Sequence, residues 1–256
     1  MALLGGCGLW ERLSGGEAPA QSGGHLKLGD IRSIDPVRMP PQVNLQVHVF
    51  ELPLEQQGRL DEALGLGDFQ ALRPASGEDF AANGMAATFG RREQWSLIAD
   101  KLSAAGARNT QTKSLLLLDD RGMDIGVVQL PAPRTITYYT SGPAPLTLDQ
   151  GQLAINVSAR PVAAMRGVAE VTVRPVLRRG ADIAAAKLAR TTAVKQIPFT
   201  AAAISANMSA GDFLMLGPAP TAAAAKPPLL GSLLLTWSGG VSVVRTYLIV
   251  CTGVTD

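Results

Sequence analysis

Apolar and polar residues alternate with a period of two along three stretches of the chain. In residues 43–50 every odd-numbered position is a valine or leucine, and the even-numbered positions are mostly polar. Residues 153–160 and 168–177 repeat this pattern. Successive side chains of a strand point to opposite faces, so each stretch predicts a strand with one buried face.

Apolar residues follow a clear helical period in one segment of the chain. The spacing i, i+3, i+4, i+7 is met by four residues: Trp95, Ile98, Ala99 and Leu102. This spacing predicts a helix over 91–105, and Gly106 follows where a left-handed residue ends a helix. A second, shorter helix is predicted over 54–66, after Pro53.

The remaining segments are short and rich in turn residues. Residues 112–118 predict a strand, 119–122 a turn and 123–130 the hairpin partner of that strand. Residues 67–90 are typical of a loop with strand fragments. Four more strands are predicted at 197–206, 212–217, 232–237 and 241–251. About ten short strands with two helices make the predicted fold class mainly β, a β-dominated α+β chain with hairpin connections.

The change of pattern near residue 42 divides the chain. Residues 1–42 are rich in glycine, serine and proline and have no sustained period, which predicts an extended arm or linker. Residues 43–256 hold all the periodic segments and are predicted to form the core domain.

Composition narrows the classes of function. A hydrophobic fraction of 46% with 17% charged residues favours a folded chain over a disordered one. The net charge of +2 is small, and no nucleic-acid-binding motif is present, so no nucleic acid is expected as a partner. No run approaches the roughly 18–20 apolar residues of a membrane-spanning helix, so any crossing would have to use strands.

The sequence offers little chemistry. The two histidines, His25 and His48, have no cysteine or carboxylate at metal-ligand spacing, and His48 is predicted to be a packing residue of its strand. Asp119, Asp120 and Asp124 could act as paired carboxylates or calcium ligands, but their place beside an Arg-Gly pair favours a turn. We therefore predict no catalytic residues, no metal site, no cofactor and no enzymatic activity.

The two cysteines lie near opposite ends of the chain. Leu4-Gly5-Gly6-Cys7 has the form of a truncated lipobox, which makes Cys7 a candidate for lipidation, although no full signal peptide is evident. A chance match is the alternative. Cys251 ends an apolar strand and is predicted to be buried; a disulfide between the two cysteines stays open.

Residues 208–256 contain an ordered series of turns and strands. A Gly-Asp turn opens a strand that stops at Gly-Pro; a Thr/Ala loop, a Pro-Pro corner and two more apolar runs follow. This order resembles the C-terminal signature of bacterial secretins, the outer-membrane gates of type II and type III secretion and of type IV pili. The matching turn positions are Gly211, Asp212, Gly217, Pro227, Pro228 and Gly231.

Earlier segments are similar to the secretin core domain in the same order. They are an alternating strand at 43–51, a helix with a strand, turn and strand between 95 and 128, and a glycine-led strand pair at 151–157 and 171–175. Four features depart from the family. Gly217-Pro218 stands where Gly-Gly is usual, and Leu233-Leu-Leu-Thr-Trp237 replaces the usual Trp-Leu-Phe. No periplasmic ring domains precede residue 43, and the segment 67–90, at the position of the central gate, is short.

The resemblance implies a large cyclic homo-oligomer. Each copy would add hairpins to a shared β-barrel pore in the bacterial outer membrane or cell envelope, a conduit for protein secretion or assembly. Other envelope or secretion proteins and membrane lipid would be its partners. The implied gate or pore loop is Asn83, Gly84 and Met85. The implied membrane-contacting lip is Ile136, Tyr138 and Tyr139.

Two other functions stay open. The same fold could build a ring, tube or scaffold that is not a channel, and the short gate segment favours this alternative. A monomeric β-sandwich that binds a ligand or partner is the second.

Overall fold

Two long strands, β1 (Gln42–Pro53) and β14 (Val241–Thr255), pair antiparallel along the whole length of β1 and form the centre of a first sheet. The structure, a computed structural model, describes residues 41–179, 196–220, 226–239 and 241–255. The first sheet, sheet A, has the spatial order β3 (Met85–Gly90), β12 (Phe213–Pro218), β14, β1 and β4 (Arg108–Leu117), and β13 (Thr236–Gly239) also pairs with β14.

A second sheet, sheet B, lies on the other side of the main core. Its spatial order is β2 (Arg73–Pro74), β11 (Ile204–Ser209), β9 (Val168–Arg179), β8 (Gly151–Pro161) and β5 (Met123–Leu130), with β10 (Gln196–Pro198) beside β9. A separate hairpin is formed by β6 (Arg134–Tyr139) and β7 (Pro143–Leu148). The α-helices within the described ranges are α1 (Gln57–Leu64), α2 (Asp79–Ala82), α3 (Trp95–Ala104) and α4 (Leu230–Leu235). The 3-10 turns are Leu54–Gln56, Arg92–Gln94 and Thr200–Ala202.

The core between the sheets is built from the alternating residues of the long strands. Leu45 and Val47 of β1 belong to one buried cluster, which also contains Ile155 of β8 and Val171 of β9. The predicted strands at 43–50, 153–160 and 168–177 are therefore confirmed, with the predicted faces inward. Each such side chain contributes about 1.5–3 kcal/mol when it is fully buried.

The outer face of sheet A carries the two longest helices. Leu60 of α1 and Ile98 of α3 are fully buried against Phe213 and Leu248 of the sheet. Gly106 follows α3 with φ +72°, as its C-terminal position predicted. The layers are thus helices, sheet A and sheet B, in that order.

The predicted hairpin between 112–118 and 123–130 is wrong. The turn forms, but β5 pairs with β8 of sheet B, whereas β4 pairs with β1 of sheet A. The reason lies at Gly122, whose φ is +73° and whose Cα packs against β8 so closely that a Cβ would lie 2.5 Å from the Val157 carbonyl oxygen. The chain therefore crosses from one sheet to the other at this turn.

The predicted strand at 232–237 is also wrong in its first part. Leu230–Leu235 forms the short helix α4, and only Thr236–Gly239 is a strand. Five of the six residues of α4 are buried, so the segment shows no period that distinguishes a helix from a strand.

The coarse fold class is confirmed: the described chain is mainly β, with few and short helices. The strands of the described residues do not close into a barrel within one copy of the chain. None of the described helices is both long and apolar enough to cross a bilayer. Residues 1–40, with Cys7, lie outside the described ranges, so the arm and the lipidation site proposed there stay predictions.

Candidate interaction surface

The three residues predicted to form a gate loop lie inside the fold. The Asn83 side chain is fully buried; its Nδ2 donates to the carbonyl oxygens of Asp79 (2.8 Å) and Tyr139 (3.0 Å). Met85 begins β3 and is 1% exposed. The Gly84 carbonyl accepts a hydrogen bond from the backbone of the residue after β12. These three residues are thus buried within the single chain, and their role as a gate or pore loop stays a prediction.

Of the three residues predicted to contact a membrane, Ile136 and Tyr138 pack against the body of the protein. Ile136 is fully buried. The Tyr138 ring packs edge-on against Phe199, with ring centroids 5.4 Å apart, and its hydroxyl accepts a hydrogen bond from the backbone of Ala201 (3.2 Å). Tyr139 is half-buried beside Asn83. Ile136 and Tyr138 thus pack on the body of the protein, and contact of this hairpin with a membrane stays a prediction.

The Pro-Pro corner that resembles the secretin signature, with Gly231 after it, contacts the segments of Asn83 and Thr137. Gly231 donates its backbone N–H to the carbonyl of Asn83 (2.8 Å), and the Pro228 carbonyl accepts from the backbone of Thr137 (3.0 Å). Pro227 follows a cis peptide bond. Gly211 has φ +97°, and Asp212 closes that turn by accepting the Ser209 backbone N–H (2.8 Å). Gly217 lies within β12, close beneath α1.

The carboxylates near the sheet crossing bind protein groups. Asp119 accepts the backbone N–H of Arg121 (3.1 Å), which confirms the predicted turn. Asp124 accepts from the Asn156 side chain (2.8 Å) and lies 3.5 Å from the Arg178 guanidinium. Within the described ranges, no three His, Cys, Asp or Glu side chains lie close enough together to hold a metal ion.

One side of the sandwich presents two sheet edges without a further strand. Among the described residues, β4 is the outer strand of sheet A and β5 the outer strand of sheet B, and the chain passes directly from one to the other. Leu116 (50% exposed) and Leu118 (54%) extend into solvent along this side. We call the two strands and these leucines the open edge.

The opposite side is closed. Backbone hydrogen bonds join Asp68 to Phe89 and cover part of the outer strand β3. The outer strand of sheet B on that side, β2, has two residues and one of them is Pro74. Short strands, proline and covering loops are the usual means of blocking edge-to-edge pairing.

A cavity of about 490 Å³ lies on the outer face of sheet A, where α3 begins and leaves the rest of the sheet uncovered. We call it the α3 cavity. Its lining residues are Gln46, His48, Arg92, Trp95, Ala210, Gly211, Phe213, Leu248, Val250, Cys251 and Thr252. A shallower cavity of about 410 Å³ shares Gln46 and Thr252 and extends toward Leu116 of the open edge.

His48 is a titratable group on the sheet side of this cavity, as is the buried Cys251. The His48 Nδ1 lies 3.1 Å from Thr112 Oγ1 and 3.3 Å from Asn109 Nδ2. An amide nitrogen only donates, so Nδ1 acts as the acceptor and the neutral ring carries its proton on Nε2. Burial lowers the pKa of His48, which favours this neutral form near pH 7.

Sequence patterns do not reveal the cavity or the open edge. Alternation indicates only a packing residue at His48, and the helical period places Trp95 on the buried helix face; the fold alone brings them to one cavity. The exposed Leu116 gives no signal, since a run of four leucines hides which positions face solvent. In comparisons with protein-family models, curated proteins and solved structures, no match to this chain was found.

Proposed function

We propose that this protein is a structural subunit that assembles with copies of itself through the open edge, as a ring or related scaffold of the cell envelope. The observation that carries the proposal is the asymmetry of the sandwich. Among the described residues, one side leaves both outer strands without a partner strand, whereas the other side is covered at Asp68 and ends in the two-residue strand that contains Pro74.

An available edge strand presents unpaired N–H and C=O groups that a second chain can bind. Monomeric proteins protect such strands with charge, proline or a covering loop. In β4 the only charged residues are Arg108 and Lys113, and the part that follows Lys113 is mostly apolar and leads to exposed Leu116 and Leu118. The open edge is thus suited to be buried against a neighbouring subunit.

The form of the assembly follows from the resemblance to secretins. A ring is heterologous, so the open edge of one copy would contact a different surface of the next. In the channel form, the subunits would surround a conduit through the outer membrane. In the scaffold form, the same contacts would build a ring or tube that conducts nothing.

The mass of the native particle tests this proposal. Mass photometry of the full chain is expected to give one discrete species of many subunits rather than a single chain of 26.7 kDa. A double variant with Leu116→Glu and Leu118→Glu is expected to shift the protein to single chains, because charge at a buried edge contact is unfavourable.

A matched control exists on the helix side. Leu97 is 51% exposed, so Leu97→Glu makes the same chemical change away from the open edge. This control is expected to keep the particle mass of the wild type. A wild-type protein of single-chain mass, or a double variant that assembles normally, would refute the proposal.

The α3 cavity favours a second candidate function, a monomeric β-sandwich that binds a ligand. Its volume of about 490 Å³ lies within the usual range for small-molecule sites, roughly 300–1,000 Å³. A native mass of one chain would leave this function in place.

A further inference from the structure

We propose that the α3 cavity binds a flat apolar molecule that carries a carboxylate. This inference does not depend on self-assembly, since it uses the outer face of sheet A and not the open edge. It rests on the apolar floor of the cavity, on an aromatic wall and on two polar groups that suit an anion.

The floor and one wall of the cavity are apolar. Phe213 and Leu248 are each 2% exposed and form the base with Val250. The Trp95 ring stands edge-on to Phe213, with centroids 5.8 Å apart and an angle of 75° between the rings. Aromatic rings pack well in such edge-to-face groups, so a flat ring placed beside Trp95 would gain apolar contact and ring–ring attraction.

The charge on the cavity is positive. Among the described residues that line the cavity, Arg92 is the one charged side chain, and none is Asp or Glu. Arg92 takes part in none of the ion pairs formed between the described residues. Guanidinium groups bind carboxylates by two parallel hydrogen bonds, so a ligand carboxylate would give Arg92 an ion-pair partner.

The aliphatic part of the Arg92 side chain packs against Gly211 at the cavity. The Arg92 Cβ lies 3.3 Å from the position that a Cβ of Gly211 would occupy, so the arginine passes over the glycine in close contact. Asp212 follows this glycine in the chain, and its carboxylate accepts a hydrogen bond from the Ser209 backbone N–H.

The neutral ring of His48 adds a donor on the sheet side. With Nδ1 engaged by Asn109 and Thr112, the proton on Nε2 is available to an acceptor on the ligand. A molecule with an aromatic body and a carboxylate therefore matches the floor, the Trp95 wall and the charge of Arg92 at once.

Calorimetric titration of the full chain with naphthalene-2-carboxylate tests the inference, with naphthalene-2-carboxamide as the uncharged probe. We expect saturable binding of one carboxylate per chain and weaker binding of the carboxamide. Arg92→Gln is expected to weaken the carboxylate about tenfold, in line with a charge-assisted hydrogen bond, and to leave the carboxamide unchanged.

Arg91→Gln provides the matched control, because Arg91 is also exposed and adjacent but does not line the cavity. It is expected to bind both probes as the wild type does. Thr252→Trp, at an exposed lining position, is expected to fill the cavity and abolish binding of both probes.

Two results would overturn the inference. One is no saturable binding to the wild type; a loss of particle mass in Thr252→Trp would then assign the cavity to a side chain of a neighbouring copy. The other is an equal loss in Arg91→Gln and Arg92→Gln, which would indicate general attraction to positive charge.

Discussion

Asn83 and Tyr139 satisfy each other's hydrogen bonds across 56 residues of sequence. The Tyr139 backbone N–H donates to Asn83 Oδ1 (2.9 Å), and Asn83 Nδ2 donates to the Tyr139 carbonyl oxygen (3.0 Å). The buried amide thus acts as a strand partner for the end of β6 and fixes the hairpin to the body of the protein.

Replacement of this amide should be costly. Asn83→Ala leaves the backbone groups of Tyr139 without these partners and should lower the free energy of unfolding by about 2–3 kcal/mol. Chemical denaturation measures the difference. Asn109→Ala, at an exposed position, should change it by less than about 0.5 kcal/mol. Equal effects of the two substitutions would show that the buried Asn83–Tyr139 hydrogen bonds contribute no more to the free energy of unfolding than the exposed Asn109 side chain does.

Two glycine substitutions should have opposite signs. A Cβ on Gly231 would clash with the Gly84 carbonyl oxygen, so Gly231→Ala should destabilise the fold by more than about 1 kcal/mol. Gly58, within α1, has no heavy atom within 4 Å of a Cβ, so Gly58→Ala should stabilise it by about 0.5–1 kcal/mol. Thermal unfolding of both variants distinguishes the cases, and a stable Gly231→Ala protein would contradict the close approach.

Tyr247 should make the fold sensitive to alkali. Burial raises the pKa of its hydroxyl from 10 to about 12. The folded state therefore holds its proton more tightly than the unfolded state, and stability is complete below pH 10 and falls as the pH rises from 10 to about 12. Tyr247→Phe should flatten this fall, which denaturant titrations across that range would detect. An unchanged slope in the variant would assign the alkaline loss to other groups.

The ion pair between Glu51 and Arg245 should be stronger than an exposed one. The two residues lie directly opposite each other on β1 and β14, 2.7 Å apart, and about three quarters of each side chain is buried. A double-mutant cycle with Glu51→Gln and Arg245→Met should give a coupling energy of about 1 kcal/mol. The more exposed pair of Lys101 and Glu62 should give a smaller coupling energy. The reverse order would be inconsistent with the burial of the first pair.

Sequence patterns predict the elements whose residues have two distinct faces. The strand that begins at Gln42 has one core face and one outer face, so its period of two is visible. The same holds for α3, where Ile98 and Leu102 are buried and Leu97 is exposed. The mainly β architecture follows from these local signals.

The pairing of strands and the nature of the exposed sites could not be predicted in the same way. A turn at Gly122 is compatible with a hairpin or with a crossing between sheets, and only contact with β8 decides between them. Asn83 resembles a loop residue in the sequence, although its amide is buried by a segment far along the chain. The cavity likewise depends on the distance between His48 and Trp95 in the fold, on which local pattern carries no information.

The length of β14 has a consequence for synthesis. This strand pairs with β1, β12 and β13, so it is the strand that joins most of sheet A. Because residues 241–255 follow every other described strand in the chain, a ribosome makes them after all their partners. Sheet A cannot be completed until these residues are made, and until then β1 lacks its partner β14. The strands of sheet B can pair earlier. Contacts of such large sequence separation form slowly, which predicts slow folding of the helical face and early folding of sheet B.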